Sequence, residues 1–98
     1  MFNEGIRSKD IKIIYLNLNQ IEVIDNLEVF KDNLEELFLQ GNRIRSIDNI
    51  HSQCLSKLKK LDISNNQLKS LRNINILQSL SVLNIENNNI SSIKGILL

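Results

Sequence analysis

Ninety-eight residues, 42% hydrophobic and 23% charged with a formal net charge of +1, make one domain with a modest core, too short for two and too close to neutral for a strongly polyanion-seeking chain. The first twenty residues scatter Glu4, Arg7, Lys9 and Asp10 among apolar positions, which leaves no signal-peptide stretch and no membrane span there. With Cys54 the one cysteine, no internal disulfide can form. The reading is an intracellular, cytoplasmic protein, with the nucleus or a cilium left open.

The opening "MFNEGIRSKD" offers Phe2 and Ile6 as an improvised N-terminal cap over residues 1–10. From there the chain repeats itself. "IKIIYLNLNQIEVIDNL" from Ile11 is followed by "LEELFLQGNRIRSIDNI" from Leu34, "LKKLDISNNQLKSLRNI" from Leu58 and "LSVLNIENNNISSIKGI" from Leu80, at steps of 23, 24 and 22 residues. All fit LxxLxLxxNxLxxLxxL with Ile or Leu in every apolar slot, which divides the chain into repeats 11–33, 34–57, 58–79 and 80–98 of a single domain. Within each, a strand-like alternation such as Leu37, Leu39 opens to steps of three at Ile44, Ile47 and Ile50. No single element satisfies both periods, so the chain bends at the asparagine between them.

The sequence resembles the leucine-rich-repeat superfamily. Its short repeats with an "NxIxxIxxL" tail are similar to those of the leucine-rich-repeat regulators of protein phosphatase, an axonemal dynein light chain and bacterial internalins. The resemblance implies an α/β right-handed solenoid of about four coils, with a parallel concave sheet and short helical or 3₁₀ convex turns. It also implies a non-catalytic module that binds a protein partner on the concave face, in a phosphatase-regulatory or scaffold role. The alternative is a ciliary dynein subunit that binds a motor domain or tubulin.

The asparagine then has a physical role. The turn after each strand would bury unpaired backbone N–H and C=O groups, and an Asn side chain, with one acceptor oxygen and two donors, can bond loop backbone in its own turn and in the next. Asn19, Asn42, Asn66 and Asn88 are therefore expected to stack as a structural ladder. Ile21, Ile24, Leu27 and Phe30, then Ile44, Ile47, Ile50 and Cys54, then Leu68, Leu71, Ile74 and Leu77, and finally Ile90, Ile93 and Ile96 fill the convex side. The tail "HSQCLSK" of the longest repeat is expected to bulge outward. His51 and Cys54 lie three apart in it, but no second His or Cys completes a ligand set, so no metal or cofactor is expected.

Residues outside the consensus carry the function. Strand positions between the inward residues face out from the concave sheet in three columns: Ile13, Glu36, Lys60 and Val82; Tyr15, Phe38, Asp62 and Asn84; Asn17, Gln40, Ser64 and Glu86. Tyr15 and Phe38 should be neighbours about 4.7–4.9 Å apart, in slots where the fold asks for nothing apolar. An aromatic pair flanked by Ile13 has the composition of a binding anchor. Phe38, Asp62 and Glu86 occupy slots comparable to those through which the resembled regulators bind their phosphatase. Arg43, Arg45, Lys69, Arg72 and Lys94 cluster beyond the Asn turn as a mostly solvated face, so nucleic acid is not the expected partner. No catalytic group and no small-molecule substrate site is recognisable. The end "IKGILL" stays apolar, so further repeats or another chain are expected to pack on it.

Overall fold

A computed structural model describes residues 10–91. Phe2, Ile6, Ile93, Lys94, Ile96 and the apolar tail therefore lie outside the described residues. Four strands of three residues, β1 (Ile13–Tyr15), β2 (Glu36–Phe38), β3 (Lys60–Asp62) and β4 (Val82–Asn84), form one parallel sheet in chain order. Ile14, Leu37, Leu61 and Leu83 share one row of the register, flanked by the row from Ile13 to Val82 and the row from Tyr15 to Asn84. These rows join equivalent slots of the sequence repeat. A slip of one residue would turn Leu37 and Leu61, both fully buried, out to solvent, and this fixes the register.

Parallel strands need a crossover long enough to return the chain. Here the crossovers carry the rest of the core. Apolar residues at steps of three, among them Ile44, Ile47, Ile50, Leu68, Leu71 and Ile74, pack into one cluster continuous from Ile24 to Leu77, with Ile21 and Ile90 partly buried against it. The return segments contain 3₁₀ turns at Glu28–Phe30, Asp48–Gln53 and Ile74–Ile76, and no α-helix occurs among the described residues. The helical half of the expected α/β class is thus reduced to i to i+3 bonds such as Phe30 N–H to Leu27 O at 2.9 Å. So short a return path favours that tighter turn.

The longest repeat corrects one expectation. Cys54 does not fill the convex core: it is exposed, with a left-handed backbone at φ 56°, while Gln53 and Leu55 on either side are buried. The extra residue is absorbed in the six-residue turn Asp48–Gln53, which ends on Cys54. This brings Gln53, only 1% exposed, to where its Oε1 accepts the Leu27 N–H of the preceding repeat at 2.8 Å. A polar residue occupies a core slot because a buried backbone donor needs it.

The asparagines bond in the opposite direction from the one expected, in their own turn and in the preceding repeat. Asn42 Oδ1 accepts Ile21 N–H at 3.0 Å, and its Nδ2 donates to Leu16 O at 3.0 Å and Leu39 O at 2.8 Å. Asn66 does the same with Ile44 N–H, Leu39 O and Ile63 O, and Asn88 with Leu68 N–H, Ile63 O and Ile85 O. The backbone groups left open by each turn face the following repeat, so the side chain that closes them comes from there. Asn19 is exposed and donates within its own turn, to Leu16 O and Asn17 O. A second asparagine row lies across the crossover. Asn49 Nδ2 donates to Ile24 O and Asn73 Nδ2 to Asp48 O, each one repeat back.

The residue before each ladder asparagine is left-handed: Leu18 at φ 57°, Gly41 at 75°, Asn65 at 55° and Asn87 at 57°. Gly and Asn tolerate this conformation, but a leucine does not. Leu18 is also 79% exposed, so burial does not offset the strain. Its Cδ2 lies where a Cβ on Gly41 would come within 2.7 Å.

In urea melts, Asn42→Ala is expected to lower stability by about 1–3 kcal/mol because it orphans buried backbone groups, whereas Asn19→Ala should cost less than about 0.5 kcal/mol. Equal losses would contradict the interlocking described above. Leu18→Asn should raise stability by about 1 kcal/mol by relieving the left-handed strain, and Asn65→Leu should lower it.

Candidate protein-binding face

Side chains alternate along a strand, so the rows that flank the inward Ile14–Leu83 row point to solvent. Tyr15 and Phe38 stack face to face, with ring centroids 4.7 Å apart and planes 8° from parallel. Tyr15 is 67% exposed and Phe38 half-buried. From the strand on the other side of Phe38, Lys60 holds its Nζ over the same ring, 5.2 Å from the centroid. Its register partner Tyr15 and, from the next strand, the diagonal neighbour Lys60 thus position Phe38 without its entering the core. Ile13 and Val82, at the two ends of the first row, expose apolar surface, and Glu36 between them is half-buried.

The polar end of the face is tied down by short-range bonds. Asp62 Oδ1 accepts both the Ser64 N–H at 3.0 Å and the Ser64 hydroxyl at 2.7 Å, while among the described residues its Oδ2 has only the Asn84 Nδ2 at 3.5 Å. Asn84 Oδ1 accepts Glu86 N–H at 3.1 Å. Ser64 departs from the expected display of its column. It is 6% exposed, because Asp62 draws its hydroxyl back along the strand and covers it. Asn17 and Gln40 are half-buried and Glu86 is exposed. Gln40 Oε1 is a buried acceptor with no hydrogen bond among the described residues.

Other candidate groups lie elsewhere. Arg43, Arg45, Lys69 and Arg72 are exposed beyond the turn, where Arg45 Nε donates to Gln67 Oε1 at 3.4 Å. His51 and Cys54 line a surface groove with Lys31, Ile50 and Ile76. His51 Nδ1 is 3.0 Å from Asp48 O, so the ring bonds its own turn. Among the described residues, no group of three or more His, Cys, Asp or Glu is placed to hold a metal ion, and no helix is long and apolar enough to cross a membrane.

Two features escape a reading by apolar periodicity. The Asn49–Asn73 row does carry a signal, an asparagine before the last apolar residue in "IDNL", "IDNI" and "LRNI". Gln53 carries none, since periodicity does not register a buried amide.

A parallel sheet of very short strands, interlocked from repeat to repeat by side-chain amides and displaying its alternate strand residues, defines a repeat protein with an open outer face. The family model for leucine-rich repeats in two copies matches residues 32–76 and 56–97, and the chain belongs to the leucine-rich-repeat family. It is 31% identical over 64 residues to the human "Leucine-rich repeats and immunoglobulin-like domains protein 1", a match covering 65% of this chain and 6% of that protein. It is 30% identical over 86 residues to the human "Leucine-rich repeats and immunoglobulin-like domains protein 3", covering 88% of this chain and 8% of that one. The chain thus spans a small fraction of the length of these curated relatives.

A double-mutant cycle between Lys60→Met and Phe38→Leu, read by urea melts, should return a coupling of about 0.5–1 kcal/mol for the exposed cation–π contact. Zero coupling would mean that the ammonium does not rest on the ring in solution.

Proposed function

We propose that this chain is a non-catalytic protein-binding module that takes its partner on the sheet face bearing Tyr15, Phe38, Asp62 and Glu86, the concave face of a right-handed solenoid of about four coils. The observation that carries the reading is the exposed Tyr15–Phe38 stack. Burial in the core fixes the Ile, Leu and Asn positions of each repeat but places no demand on these slots, so large aromatics there are surplus to folding. Aromatic groups at the centre of a face are the residues that dominate binding energies. The finer assignment is a scaffold or phosphatase-regulatory role inside the cell. Phe38 on one face with the acidic Asp62 and Glu86 supports it, as does a lone cysteine that cannot form an internal disulfide.

The test is capture of partners from the native cell with wild-type and variant chains, followed by affinity measurement on what is identified. Phe38→Ala should weaken binding by about 2 kcal/mol and lower fold stability by no more than the Tyr15 stack and the Lys60 contact supply, about 1–2 kcal/mol. Replacing Arg43 and Arg45 by Ser should matter little. Binding abolished by the Arg changes and untouched by Phe38→Ala would place the partner on the other face, and a steep loss of affinity with salt would then identify it as a polyanion.

A further inference from the structure

The displayed face differs in charge from the chain as a whole. The protein carries a formal +1, yet the sheet face presents Glu36, Asp62 and Glu86 against Lys60 alone, and the Lys60 ammonium is already held over Phe38. Asp62 is prepared as an acceptor. Its Oδ1 is fixed by two donors from Ser64, while among the described residues Oδ2 has only a long 3.5 Å contact to Asn84. A carboxylate so oriented gives up little rotamer freedom on taking a new donor.

From this we propose that the occupant of the face is an extended protein segment that crosses the strands with one apolar side chain on the Tyr15–Phe38 stack and basic side chains beside Asp62 and Glu86. The proposal rests on the concave-face reading above and adds the partner's chemistry and spacing. Parallel strands lie about 4.8 Å apart. The middle of the stack is therefore about 7 Å from Asp62 in the same row, and about 14 Å from Glu86, which lies about 12 Å across the sheet and two residues beyond Asn84. An extended chain advances about 3.3 Å per residue, and alternate side chains share one face. The basic residues thus fall two and four positions from the apolar one, in either chain direction, all pointing at the sheet.

The sequence supplies its own reporter, since Tyr15 is the one tyrosine and there is no tryptophan. Tyrosine fluorescence of the full chain would be titrated with a Gly-Ser-flanked peptide containing Leu-Ser-Arg-Ser-Arg and with the reversed Arg-Ser-Arg-Ser-Leu. The controls are the composition-matched Leu-Arg-Ser-Arg-Ser, whose arginines fall on the wrong face, and the acidic Leu-Ser-Glu-Ser-Glu.

One of the two in-register peptides should bind about tenfold more tightly than the matched control, the equivalent of one charge-assisted hydrogen bond. The double variant Asp62→Asn, Glu86→Gln should lose that preference. Both substitutions keep side-chain size, and an amide oxygen at position 62 would still accept from Ser64, so a melting curve close to wild type is the check on folding. Equal binding of matched and in-register peptides, preferential binding of the acidic peptide, or no change in Tyr15 fluorescence at millimolar peptide would each overturn the proposal. A native partner whose capture still depends on Phe38 would leave the concave-face reading standing in all three cases. Capture that ignores Phe38 removes both.

Discussion

A primary amide on a short side chain offers one acceptor and two donors within a small compass, and Asn42, Asn66 and Asn88 each use that set to join two consecutive repeats. The strands are only three residues long, so the backbone ladder between any two is brief. The chain then leaves the sheet with its N–H and C=O groups turned inward. Apolar rows can exclude water from those groups but cannot bond them. The amide does both, because it occupies the space and closes the bonds. Everything outside the turn depends on this, including the register that brings Tyr15 against Phe38.

The crossover uses the same device with different residues. Asn49 and Asn73 reach back to Ile24 and Asp48 on the far side, and Gln53 reaches Leu27 where the second repeat is longest. The second and third repeats are thus each held to their predecessor both near the sheet and away from it. These three repeats cannot hinge about the sheet without breaking amide bonds. The sheet face is therefore held by side-chain amides as well as by its short backbone ladder.

Much of this is legible in the residues. Equivalent slots pair in the sheet because the repeat sets the register, and Tyr15 and Phe38 share a slot, so their stacking follows from position alone. Cys54 is misplaced by the pattern because a repeat of 24 residues leaves two ways to seat the extra one. A rule that counts apolar residues prefers Cys to the neighbouring Gln53, although only the glutamine can satisfy the Leu27 N–H. Ser64 is misread because the alternation gives the side of the sheet a residue is on, whereas its burial depends on a local bond to Asp62. The direction of the amide bonds is not legible at all. It depends on which side of each turn the open backbone groups face, and side-chain pattern does not encode that.

The span of the amide bonds also sets how the chain must assemble. Each joins residues close to one repeat apart, from 20 between Leu68 and Asn88 to 27 between Leu39 and Asn66. Loop-closure entropy changes little over such a range, so every neighbouring pair of repeats faces nearly the same barrier and no distant contact is needed first. The pair that includes Leu37 and Leu61 starts with the advantage, since its residues end fully buried and its amides, Asn42 and Asn66, are themselves in the core. Contacts confined to neighbouring repeats let the stack extend from that pair in either direction by the same step.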